Sequence, residues 1–165
     1  MDAKTITHHT LDSLLLLSKE ELDHLFREGE TPAIAEISGE TEGRVLAGIA
    51  PLKMPALIRV INTPLLPWKG KVFEPLDEYH GRGKNRLEIG RIKQQLFHFN
   101  TAIIPSLVGA GDVFSLDYDQ PGNPWFIRQI RDDMKKIGDN LFLGTANFKV
   151  KGEYQFILYF ALQTG

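Results

Sequence analysis

NLFLGTANFKVKGEYQFILYFALQ, residues 140–163, contains two strand-like runs separated only by Lys151 and Gly152. Phe, Leu, Thr, Val, Tyr and Ile dominate both runs, and these side chains suit a pleated, half-buried surface. Gly152 can adopt a positive φ without steric cost, so the pair Lys151-Gly152 suits a two-residue turn. The stretch therefore reads as an antiparallel β-hairpin, with strands at 140–150 and 153–163.

Working back from this hairpin, similar runs occur at 112–118, 94–104, 84–92, 71–76 and 43–50, bounded by Gly, Pro, Asp or Asn. The spacing predicts about seven to nine mostly antiparallel strands, and closing them into a barrel removes the exposed edges that invite aggregation. A barrel of about eight strands has an interior that side chains can just fill, or that can hold one small ligand.

Three segments break the strand pattern. At the start, Ser18 and Glu21 have the spacing of a capping box, Leu22, Leu25 and Phe26 share one helical face, and Gly29 is a stop. LDSLLLL (11–17) forms a separate short turn of helix before it. MPALIRVINTPLLP (54–67) predicts a short helix from Pro55 to near Pro64. NPWFIRQIRDDMKKIG (123–138) spaces Phe126, Ile130, Met134 and Ile137 as a helix ending at Gly138. Each of the last two would close one end of the barrel. The chain of 165 residues is read as one domain, 1–165, with a helical N-terminal cap over 1–36 and the barrel over 37–165.

Composition excludes several classes of function. Acidic and basic residues are interleaved and the net charge is −2, which lacks the basic footprint of a nucleic-acid binder. The absence of cysteine excludes disulfides and thiolate chemistry. The apolar run 14–17 is too short for a membrane span, and its acidic flank does not suit a signal peptide, so the expectation is a soluble, cytoplasmic protein. His24, His80 and His98 lack metal-site spacing, no serine sits in a G-x-S-x-G turn, and the GxG of YHGRGKNR (79–86) lacks the third glycine of a phosphate loop. No metal and no cofactor is expected. A homodimer is compatible with the sequence.

PWKGKVF (67–73), LDYDQPGNP (116–124), NLFLGTANFK (140–149) and YQFILYFAL (154–162) resemble, in order, the landmarks of the GxWxG-type family of small lipocalin-like barrels. Gly39 and Gly43 of GETEG match the two glycines of the namesake motif, while Thr41 stands in the tryptophan position. The resemblance implies a mainly β, antiparallel lipocalin-like (calycin-type) barrel with a cavity for a hydrophobic molecule.

Within that frame, QLFHFN (95–100) holds the first site candidates. Alternation puts Leu96, His98, Asn100 and Ala102 on one strand face and Phe97, Phe99, Thr101 and Ile103 on the other. His98 is open to three readings: a packed core histidine, a ligand contact, or an acid-base catalyst. Its face is expected to line the cavity, because Asn100 and Ala102 make it the more polar and roomier one.

YHGRGKNR is expected to form a basic hairpin at the barrel mouth, with Asn85 and Arg86 able to steer a ligand. Asp117 and Tyr118 are further catalytic candidates, and Arg128 a candidate for a polar ligand head; Arg128, Asp132 and Lys136 at i, i+4 spacing also suit a solvated helical face. Trp68, Phe97, Phe99, Phe142, Phe148, Phe156 and Phe160 are the expected aromatic lining. The expected function is binding of a small apolar or amphipathic molecule; the alternative is a cofactor-free isomerase, cyclase or lyase on the same barrel, using His98, Asp117 or Tyr118.

Overall fold

The computed structural model describes residues 8–48 and 68–165. Two helices, α1 (Leu11–Leu14) and α2 (Lys19–Glu28), precede eight strands. The strands are β1 (Gly39–Gly48), β2 (Trp68–Pro75), β3 (His80–Ile89), β4 (Ile92–Pro105), β5 (Asp112–Asp117), β6 (Ile130–Gly138), β7 (Leu141–Val150) and β8 (Glu153–Thr164). Each strand pairs antiparallel with the next, and β8 returns to pair with β1, giving a closed up-and-down barrel. No described helix is long and apolar enough to cross a membrane.

The N-terminal signals appear as physical contacts. Ser18 Oγ accepts from the Glu21 main-chain N–H, while the Glu21 carboxylate accepts from the Ser18 N–H. Helix α2 ends at Gly29 and lies against the outer wall of the barrel. Leu22 and Phe26 are buried there in one cluster with Val113, Leu141, Leu143, Tyr159 and Ala161, and each large side chain so buried contributes about 1.5–3 kcal/mol. The hairpin β7–β8 turns at Lys151 (φ 50°) and Gly152 (φ 83°).

The helix expected over 123–138 does not form. A 3-10 turn, Ile127–Gln129, leads directly into strand β6. Ile130, Met134 and the residue between them, Asp132, satisfy a period of two as well as helical spacing. Main-chain pairing with β5 and β7 then decides the outcome. Asp132, expected on a solvated helical face, and its neighbour Asp133 are buried because each meets a cation: Lys71 for one and Arg131 for the other.

The segment 79–86, expected as a basic hairpin, runs from the β2–β3 turn at 77–79 into the body of β3, and the next turn lies at Gly90 and Arg91. The helix expected over 54–67 lies outside the described residues.

Inside the barrel, one half is solid. Ile34 and Ile37, at the 3-10 turn Ile34–Glu36, join Phe73, Phe99, Phe114, Met134, Phe142 and Leu162 in a single buried cluster. The other half is open.

Candidate functional site

A cavity of about 970 Å³ occupies the open half. Trp68, Leu87, Phe97, Ile130, Ala146, Ile157, Leu158 and Phe160 supply its apolar wall. Two glycines make room for the aromatic parts of this wall: a Cβ at Gly43 would stand 2.6 Å from the Trp68 indole, and one at Gly144 would collide with the Phe160 ring.

Four polar side chains meet where the cavity borders the packed half. Alternation puts Lys71 on the same face as Phe73, and Asp132 between Ile130 and Met134. Asn85 comes from β3, and Tyr118 from the residue following β5. Lys71 Nζ lies 3.1 Å from Asp132 Oδ2 and 2.8 Å from Asn85 Oδ1, and it also donates to the Tyr118 hydroxyl. Tyr118 Oη donates to Asp132 Oδ2 at 3.2 Å and accepts from Asn85 Nδ2 at 3.0 Å. Trp68 Nε1 donates to Asn85 Oδ1 at 3.0 Å.

Counting donors and acceptors shows what this network leaves over. The three ammonium hydrogens of Lys71 are used, as are both lone pairs of Asn85 Oδ1 and the full capacity of the Tyr118 hydroxyl. One Asn85 Nδ2 hydrogen remains without a partner among the described residues. Asp132 Oδ1 is buried with no hydrogen-bond partner among the described residues. A buried acceptor left unpaired costs about 1–3 kcal/mol, more when charged.

The environment of Lys71 is unusual for a cation. Both its side chain and that of Asp132 are only 4% exposed. Its ammonium sits 5.0 Å from the Phe160 ring centre, 5.2 Å from Tyr118 and 5.5 Å from both Trp68 and Phe99, distances at which aromatic faces attract a cation. Burial pushes the Lys71 pKa below the ordinary lysine range, against the opposing attraction of Asp132. Burial likewise pushes the Asp132 carboxyl up, against Lys71, and the Tyr118 phenol well up. Thr41 fixes the strand beneath the lysine: its hydroxyl donates to the Lys71 carbonyl at 2.9 Å and accepts from the Lys71 N–H at 3.0 Å.

The structure brings Trp68, Asn85, Arg86, Phe97, Tyr118 and Phe160 together around the cavity. Arg86 sits at its edge, bonded to the Thr41 carbonyl and paired with Glu40. Phe99 and Phe142 belong to the packed half, and Phe148 packs against the interior cluster.

His98 is placed otherwise than expected. It is exposed, while Phe97 and Phe99 take the interior, because two phenyl rings gain more from burial than one imidazole. A bulge helps: Phe97 has φ 62° and stands unpaired between the Lys84–His98 and Asn85–Leu96 pairs. His98 and Asn100 instead line a groove that also includes Gln120 and Pro121, and the Asn100 amide donates to Gln120.

Three further candidates lie away from the cavity. Asp117 is exposed and accepts from the Asp119 N–H in an ordinary turn. Arg128 forms an exposed pair with Asp119 at 2.7 Å. Phe156 packs outside the barrel with Tyr159, beneath Lys19 of α2.

Lys71 and Asp132 were not among the sequence candidates. The signal for Lys71 was its place two residues before Phe73, and for Asp132 the alternation Ile130, Asp132, Met134. Among the described residues no group of three or more His, Asp or Glu side chains is gathered as a metal site would need.

No protein-family model matches the chain, and no curated protein matches it. Among solved structures, the chain is similar to a protein from Thermomonospora curvata, with a TM-score of 0.57 and 16% identity over 90% of this chain and 88% of that one. At that identity the likeness concerns the fold.

Proposed function

We propose that this is a calycin-like binding barrel for one small, mainly apolar molecule carrying a single compact polar head. The hydrocarbon part would lie against Trp68, Phe97, Ile157, Leu158 and Phe160, and the head on Asn85 and Asp132. The observation that carries this reading is Asp132 Oδ1, buried and without a hydrogen-bond partner among the described residues, beside the spare Asn85 N–H. A hydroxyl-sized head can donate to that oxygen and accept from the spare Asn85 N–H, so binding relieves a defect that the described residues leave open.

The test is fluorescence titration with 6-methoxy-2-naphthalenemethanol, an aromatic alcohol small enough for the cavity. Saturable binding in the micromolar range, about −8 kcal/mol, with quenching of Trp68 supports the reading. Absence of saturable binding of this alcohol and of homologous apolar alcohols, with tight binding of nucleotides instead, refutes it.

A further inference from the structure

A lysine at the floor of an apolar cavity has a chemical use beyond hydrogen bonding. We infer that the barrel captures an apolar aldehyde or ketone, with Lys71 holding it as a Schiff base on Nζ. This rests on the binding reading above and names its ligand class. Three features of the geometry converge on it.

First, Lys71 lines the cavity while remaining shielded from outside water, so its amine meets what enters the barrel. Burial moves both groups toward the neutral pair, so the neutral amine that attacks is reached by passing one proton across the 3.1 Å contact from Lys71 Nζ to Asp132 Oδ2. A desolvated neutral lysine is a competent nucleophile.

Second, the proton needed for dehydration is in place. The amine adds to the carbonyl carbon, forming the C–N bond as the C=O π pair moves to oxygen. One N–H proton passes to that oxygen, giving a neutral carbinolamine. The Asp132 acid then protonates the hydroxyl; the C–O bond breaks, water leaves, and the nitrogen lone pair completes C=N. The product is an iminium cation beside an Asp132 carboxylate, with one water released and no oxidant or reductant consumed. The spare Asn85 N–H can hold the carbonyl oxygen during the addition.

Third, the product is a cation in a place already built for one. Phe160, Tyr118, Trp68 and Phe99 surround Nζ with ring faces, and Asp132 supplies the counter-charge at 3.1 Å. Delocalising the charge from nitrogen onto the ligand carbon leaves it within the same aromatic enclosure.

The experiment incubates the full chain with 6-methoxy-2-naphthaldehyde and sodium cyanoborohydride near neutral pH, followed by intact-mass measurement and peptide mapping. The expected result is one early adduct, mapped to Lys71 and formed at least about tenfold faster than adducts on exposed lysines such as Lys149 and Lys151, because Lys71, unlike those two, meets the aldehyde held inside the cavity. Lys71→Arg keeps a cation opposite Asp132 and should lose the early adduct; should that variant not fold, the wild-type map decides alone.

The matched alcohol separates the two readings. If the alcohol binds but the aldehyde is trapped no faster at Lys71 than at Lys149, covalent capture is overturned and simple binding stands. If neither the alcohol nor the aldehyde enters the barrel, both are overturned.

Discussion

Thr41 and Lys71 are joined twice, side chain to main chain: the Thr41 hydroxyl bridges both the carbonyl and the N–H of Lys71 across β1 and β2. Thr41 thus fixes the strand from which the cavity lysine projects. Thr41→Val preserves shape and removes both bonds. The expected loss is about 1–3 kcal/mol in urea unfolding, the cost of leaving buried main-chain groups unpaired, together with weaker binding of the aromatic alcohol.

The buried ion pair makes a second prediction. Lys71→Met leaves Asp132 without its cation, and breaking such a pair from one side costs about 3–5 kcal/mol. Lys71→Met with Asp132→Leu removes both charges and should regain most of that stability, while abolishing the polar floor of the cavity. Chemical unfolding of the two variants beside wild type checks this; equal stabilities for the single and double variants would count against a coupled pair.

Cavity filling separates folding from binding. Ala146 lines the open half on β7, so Ala146→Phe should occupy the ligand's volume without crowding the packed half. The expected outcome is alcohol binding weaker by at least about tenfold, or 1.4 kcal/mol, with an unchanged or higher melting temperature.

Acid should weaken the cap of helix α2. The Glu21 carboxyl is held below the ordinary glutamate value of 4.5, chiefly by the Ser18 main-chain N–H and then by its hydroxyl. For an acid with a lowered folded-state pKa, the stabilisation is present above the unfolded value and is lost as pH falls through the folded one. Stability should therefore decline as pH drops below 4.5, and Glu21→Gln should flatten that part of the profile. A wild-type curve identical to that of Glu21→Gln between pH 6 and pH 3 would contradict the assignment.

His98 should be nearly silent. Its ring is exposed, so His98→Gln is expected to move stability by no more than about 0.5 kcal/mol and to leave alcohol binding unchanged. The residue that matters beside it is Asn123, whose side chain accepts from the His98 N–H and donates to the carbonyls of His98 and Tyr118. Asn123→Ala should cost about 1–3 kcal/mol and loosen Tyr118.

How far the sequence revealed this arrangement depended on the kind of signal. The capping box at Ser18 and Glu21 and the turn at Lys151 and Gly152 are local chemistry, readable within a few residues, and both appear as expected. Strand β6 was hidden because Ile130 and Met134 satisfy helical and strand periods alike, and Asp132 suits a solvated helical face until the cations that bury it and Asp133 are known. Those cations come from different places: Arg131 is adjacent, but Lys71 lies on β2, brought into reach only by barrel closure. The facing of His98 depended on the bulge at Phe97, a non-glycine residue at positive φ that carries no turn signature in the sequence. Tyr118 and Asn85 were visible on strand-like runs and Trp68 as an aromatic lining residue, but not the hydrogen-bond network that joins them.

A crystal structure of the chain soaked with 6-methoxy-2-naphthalenemethanol tests the central claim most directly. The account predicts the naphthyl rings against Trp68, Phe97 and Phe160, with the hydroxyl about 3 Å from Asp132 Oδ1 and within reach of Asn85 Nδ2. An alcohol found instead in the groove beside His98 and Gln120, with the barrel interior unoccupied, would contradict it.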